Sequence, residues 1–121
     1  MKRIENQTFD MERALYGQSE LLVKNCSFDG PADGESALKE CSDVRIYNCD
    51  IISPEFGWSV QGICMEDSMA VSEYFMMRSE DLAFRRVQFQ GKYSFQYIKN
   101  AVFEDCVFDT KDAFWHGIPI I

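Results

Sequence analysis

The amino-acid sequence predicts an all-β fold: a right-handed parallel β-helix, or solenoid, of about six courses of 19 residues. Three observations lead there. A hexapeptide pattern recurs at a fixed interval, its apolar residues alternate with polar ones, and an Asn/Asp position recurs at one phase of every copy. Self-similarity at a period of 20–50 residues is the signature of a stacked repeat. Alternation is the period of a strand, not of a helix.

The copies run in order along the chain. IENQTF (4–9), VKNCSF (23–28), IYNCDI (46–51), FRRVQF (84–89) and FEDCVF (103–108) close on Phe9, Phe28, Ile51, Phe89 and Phe108. The steps between these are 19, 23, 38 and 19, so a hidden copy is expected to end at position 70, where MEDSMA (65–70) stands. The 23-residue step contains GPADGES (30–36), a turn-rich insertion of four residues. Stacked, the copies give inward columns. One holds Leu21, Val44, Ile63, Leu82, Ala101 and Ile120, and the next Ile4, Val23, Ile46, Met65, Phe84 and Phe103. A third holds Gln7, Cys26, Cys49, Ser68, Val87 and Cys106, and an upstream apolar column holds Leu15, Leu38, Gly57, Met76, Phe95 and Phe114.

Between the second and third columns lie Asn6, Asn25, Asn48, Asp67, Arg86 and Asp105. Asn and Asp tolerate the left-handed region and hydrogen-bond locally, so this column suits a corner. Short strands with a corner at fixed phase describe a β-helix. At about 4.8 Å per course the rod is expected to be roughly 25–30 Å long. Glu5, Lys24, Tyr47, Glu66, Arg85 and Glu104 form the outward column beside the corner, predicting vertical pairs Glu5–Lys24, Glu66–Arg85 and Arg85–Glu104.

The segment EYFMMRSEDLAFRRVQFQGKYSFQYIKNAVFEDCVF (73–108), followed by DAFWHG (112–117), resembles a bacterial family of unknown function, domain-of-unknown-function family 3737. The resemblance runs from Met1 to about Gly117. It implies the single-stranded right-handed β-helix of the pectin-lyase-like superfamily, and it supplies no catalytic residues to carry over. Members are commonly longer, so IPII (118–121) reads as a mid-course, shortened C-terminus of one domain spanning 1–121.

Composition narrows the function. Lys plus Arg number 12 against 20 Asp plus Glu, a net charge of −8, which disfavours an electrostatic grip on nucleic acid or an anionic membrane. An acidic rod could mimic a nucleic-acid backbone, but the interleaved signs of the outward column argue against it. No apolar run reaches the ~20 residues of a membrane span. MKRIENQTFD (1–10) lacks the apolar run of a signal peptide, and five Cys suit a reducing compartment, so a cytoplasmic location is expected.

No motif names a catalytic centre: there is no CxxC, HExxH, GxSxG or Gly-rich phosphate loop. Cys26 and Cys49 fall on adjacent courses, but Cys41 and Cys64 lie in other columns, so no metal or cofactor is expected. Asp10 with Asp29, and Asp43 with Asp81, share columns and read as turn or surface acids. The column Gly17, Glu40, Ser59, Arg78, Tyr97 and His116 is the most chemically varied, and beside it run Tyr16, Lys39, Trp58, Met77, Gln96 and Trp115. If the second of these faces out, Trp58, Trp115, Tyr97, Arg78, Glu40 and His116 form a ligand groove. Flat aromatic faces with charged neighbours suit sugar rings and their hydroxyls. Packing of these aromatics under a loop or at a subunit contact is the alternative.

Two functional classes remain. The first is a non-catalytic scaffold or protein-interaction module, associating end to end with itself or with a protein partner through exposed strand edges. The second is a carbohydrate-binding, or vestigial polysaccharide-active, β-helix using the aromatic groove. The latter leans on analogy of fold, which hosts many functions.

Overall fold

The computed structural model describes residues 1–9, 15–29, 37–110 and 118–120. The insertion at 30–36, Asp10, Phe114, Trp115, His116 and Ile121 lie outside the described residues. All regular structure among the described residues is β, and it forms a parallel solenoid of about five turns at intervals of about 19 residues. No described helix is long and apolar enough to cross a membrane.

The first sheet stacks β1 (Lys2–Glu5), β3 (Ser19–Lys24), β5 (Ser42–Tyr47), β8 (Gln61–Val71), β10 (Glu80–Gly91), β12 (Lys99–Glu104) and β14 (Ile118–Ile120) in that order. A second ribbon continues around the corner, where β2 (Thr8–Phe9), β4 (Ser27–Asp29), β6 (Asp50–Ile52), the distal part of β8, the distal part of β10 and β13 (Val107–Thr110) pair in turn. A third, three-stranded sheet is made by β7 (Glu55–Trp58), β9 (Tyr74–Met77) and β11 (Tyr93–Ser94). The register follows the repeat: Leu21 meets Val44, Val44 meets Ile63, Ile63 meets Leu82 and Leu82 meets Ala101. The hidden copy is also in place, since Ala70 pairs with Ile51 on one side and Phe89 on the other. The last step corrects the sequence reading. Ile120 pairs with Val102, and Ala101 with Pro119, because the register shifts between Lys99 and Ala101. Pro119 has no N–H for the ladder, which fits an irregularity there.

The expected corner is real, and three more accompany it. Asn6, Asn25, Asn48, Asp67, Arg86 and Asp105 all have φ between 51° and 55°. Their side chains stack as well, with Asn48 Nδ2 donating to Asn25 Oδ1 at 2.7 Å. The remaining positive-φ residues fall in three further columns: Leu15/Leu38/Gly57/Met76/Phe95, Gly17/Glu40/Ser59/Arg78/Tyr97 and Glu20/Asp43/Gly62/Asp81/Asn100. None of these residues is β-branched, as the crowding of Cβ against the backbone in this region requires. Asp43 and Asp81 are therefore turn acids, as expected. A left-handed residue costs on the order of 1–2 kcal/mol, which the inter-course ladder offsets: Asn25 N–H donates to Tyr47 O, Asn48 N–H to Glu66 O and Ser59 N–H to Met77 O, at 2.9–3.1 Å.

The core is a column of stacked apolar side chains. Leu21, Val23, Ile46, Ile51, Phe56, Met65, Val87, Phe95 and Ala101 are buried completely or nearly so. Rings continue from course to course, with Phe9 on Phe28 at 5.0 Å, Phe56 on Phe75 at 5.5 Å, Phe84 on Phe103 at 5.2 Å and Phe89 on Phe108 at 5.1 Å. Gln7 departs from its inward column and is exposed. The cysteine column has a backbone role. Its cysteine and serine side chains each follow a left-handed corner residue and donate to the carbonyl two positions back: Cys26 to Lys24 and Cys49 to Tyr47 at 3.3 Å, Ser68 to Glu66 at 2.9 Å, and Cys106 to Glu104 at 3.4 Å. Cys41 and Ser79 do the same at the Glu40/Arg78 corner, donating to Lys39 and Met77 at 3.8 and 3.2 Å. These carbonyls already accept ladder N–H groups, as Tyr47 O does from Asn25 and Glu66 O from Asn48, so the small polar side chains donate to a second lone pair at the bend and find a partner while buried.

The charged column is only partly as expected. Arg85–Glu104 forms at 3.6 Å. Glu5 instead pairs with Arg3 at 3.7 Å, and Glu66 with Arg86 at 3.4 Å. Arg86 projects from the corner itself and also grips Asp67 through both carboxylate oxygens, the Nη2–Oδ2 bond being 3.1 Å. That guanidinium holds the Asp67 carboxyl below its ordinary value of 3.8.

Candidate functional site

Two left-handed columns one residue apart from Tyr16/Lys39/Trp58/Met77/Gln96 shape the corner between the third sheet and the first. Trp58 ends β7 and pairs with Met77 in register. The Trp column does not face out uniformly: Trp58 is half-buried and Met77 is only 6% exposed. Lys39 Nζ sits 5.9 Å from the Trp58 ring centroid, covering part of the indole. The groove expected along this column is thus partly filled by the chain's own side chains.

The neighbouring column is the open one. Left-handed φ values at Glu40, Ser59, Arg78 and Tyr97 swing their side chains off the strand alternation and outward. Tyr97 is 45% exposed, and the Arg78 guanidinium carbon lies 4.9 Å from its ring centroid. Glu40 accepts a hydrogen bond from Tyr16 Oη. Of the six residues expected to form a site, Arg78 and Tyr97 are in contact, Trp58 lies one course below Arg78 and Glu40 two courses below, both with other partners, and Trp115 and His116 lie outside the described residues.

Around Arg78 and Tyr97 the surface sinks into an open depression of about 420 Å³, completed by Ser59, Gln61, Glu80 and Lys99. The last three were not foreseen. Their signal was available, since Ser42, Gln61, Glu80 and Lys99 form an unbroken polar column two residues beyond the Glu40/Arg78/Tyr97 column. Register confirms the stack, with Ser42 against Gln61, Gln61 against Glu80 and Glu80 against Lys99. Backbone bonds fix the depression's floor: Arg78 N–H donates to Gln96 O at 2.9 Å, and Lys99 N–H to Ser79 O at 3.0 Å.

The other surface features are of different chemistry. An acidic hollow of about 450 Å³ is lined by Glu20, Asp43 and Asp81 around Gly62. Among the described residues no three His, Cys, Asp or Glu side chains are grouped to hold a metal ion. An apolar hollow of about 530 Å³ lies at the corner of Ile52, Pro54, Val71 and Gly91. Cys49 is buried, and desolvation pushes its thiol up to about 11, the opposite of an activated nucleophile.

The class is therefore a parallel β-solenoid with four left-handed ladders and a polar depression at one corner. Within that class the chain matches the family model described as protein of unknown function (DUF3737), over two overlapping stretches, residues 2–53 and 48–120. The chain belongs to this family. No curated protein and no solved structure matches it significantly.

Proposed function

We propose that this chain is a non-catalytic interaction module, a stiff rod whose backbone ladders hold outward side chains at fixed spacing. The observation that carries this reading is the exposure of apolar side chains on the outer faces: Val107 at 60%, Ile52 at 50% and Val102 at 48%. Apolar groups held on a rigid sheet suit docking of a second copy or of another protein. Cysteines 26, 41, 49, 64 and 106 are free thiols, which supports a reducing, cytoplasmic setting. Sedimentation equilibrium from micromolar to high micromolar concentration tests the self-association form. Val102→Glu and Val107→Glu are expected to weaken it, and a monomer throughout that range sinks it.

A second reading is carbohydrate binding at the Arg78–Tyr97 depression, with descent from pectin-lyase-like polysaccharide-active helices as its background. The exposed Tyr97 ring offers an apolar face for a sugar, and Ser59, Gln61, Glu80 and Lys99 offer donors and acceptors to its hydroxyls. Co-sedimentation with a panel of insoluble glycans, with Tyr97→Leu as the comparison, tests it. Retention unaffected by that substitution removes the depression from consideration.

A further inference from the structure

We infer that the Arg78–Tyr97 depression takes an anionic sugar chain, one bearing carboxylate or sulfate groups. This rests on the carbohydrate reading and adds the ligand's charge. The chain's net charge is −8, and most of its surface is therefore unsuited to an anion. Arg3, Arg85, Arg86 and Lys92 are each ion-paired, to Glu5, Glu104, Glu66 with Asp67, and Glu73. Lys2, Lys24, Lys39, Arg45, Arg78 and Lys99 form no ion pair with a described carboxylate, and two of them, Arg78 and Lys99, line one depression.

Arg78 is held over the Tyr97 ring at 4.9 Å. A guanidinium attracted to a ring face keeps in-plane N–H donors that match a carboxylate or sulfate in forked geometry. Among the described residues Glu80 is the one carboxylate lining the depression, set between Gln61 and Lys99 in register. Two cations against one carboxylate leave the hollow locally positive on an acidic rod. Glu80, Ser59 and Gln61 would meet hydroxyls, the exposed part of the Tyr97 ring the sugar face, and Arg78 with Lys99 the anion. The overall charge repels polyanions, so binding of one would have to arise from this local arrangement and not from general attraction.

The test uses three polymers with one glucan backbone: dextran, carboxymethyl-dextran and dextran sulfate, titrated calorimetrically at low salt. At least one anionic polymer is expected to bind about tenfold more tightly than dextran, the scale of one charge-assisted hydrogen bond. Arg78→Gln and Lys99→Gln should each remove most of that advantage, lowering anionic binding several-fold more than they lower dextran binding. Tyr97→Leu should weaken all three, and Arg85→Gln, whose side chain pairs elsewhere, should change nothing. Circular dichroism melts establish that each variant is folded. Equal binding of all three polymers overturns the anionic inference and leaves the carbohydrate reading standing. Binding of none overturns both, and anionic binding indifferent to Arg78→Gln and Lys99→Gln overturns the assignment to this depression.

Discussion

Gly91→Ala is the sharpest probe of how closely the courses approach. Gly91 ends β10 at the corner shared with Ser72 and Ser53, one and two courses below. A methyl built on its Cα falls well inside contact distance of the Ser72 carbonyl oxygen, 2.9 Å from the carbonyl carbon and 3.7 Å from Glu73 N. Its φ lies outside the left-handed region, so the penalty is steric. The obstacle is backbone held on both sides: Ser72 N–H donates to Gln90 O at 2.9 Å, and Tyr93 N–H to Glu73 O at 2.7 Å. Relief therefore requires opening one or two ladder bonds, each worth roughly 0.5–1.5 kcal/mol, besides an overpacking cost of about 1–3 kcal/mol. The sum is about 3 kcal/mol, a fall in Tm of roughly 10–15 °C for a chain of this size. Gly17→Ala is the control, because a methyl there meets nothing within 4 Å and carries only the left-handed cost. It should lose about 1 kcal/mol. Thermal and urea unfolding read both, and a Gly91→Ala melt no lower than that of Gly17→Ala would refute the close approach.

Three further outcomes are expected. Asn25→Val, which places a β-branched residue at φ 54° and removes the acceptor of Asn48, should cost about 2 kcal/mol in urea unfolding, whereas Asn25→Asp should cost much less. The Cys49 thiol is raised from 9.0 to about 11, so its contribution is full below about pH 9 and lost as pH rises through 11. Cys49→Ser, which keeps the hydroxyl-to-carbonyl bond that Ser68 makes, should flatten that alkaline loss, and native Cys49 should resist iodoacetamide at pH 8. Asp67 is depressed below 3.8 by Arg86, so the pair helps above that pH and fails as pH falls through the lowered value. Carboxyl NMR titration of Arg86→Gln should show Asp67 returning upward.

Legibility in the sequence tracked chemical uniformity within a column. The inward columns of Val23, Ile46, Met65 and Phe84, or Phe28, Ile51 and Phe89, are apolar in every course and were read correctly. So was the Asn/Asp corner, because those residues advertise the left-handed region. The corner of Leu38, Met76 and Phe95 was read only as apolar, since side chains at 0% exposure reveal nothing of their φ near 55–60°. The depression was half legible. Arg78 and Tyr97 stood out as types, whereas Gln61, Glu80 and Lys99 look like ordinary exposed residues until the turn brings them beside the aromatic ring.

What the sequence by itself determined is the 19-residue period, the inward face and one corner, because a parallel in-register stack places like positions above one another and a repeat in chemistry becomes a repeat in space. The tertiary structure alone decided the rest. It set which carboxylate each arginine reaches, the slip of Ile120 onto Val102, the burial of Met77 beside half-buried Trp58, and the carbonyls to which the cysteines donate. Those outcomes turn on side-chain reach and on the outward swing at left-handed residues, quantities of a few ångströms that a column of letters does not carry.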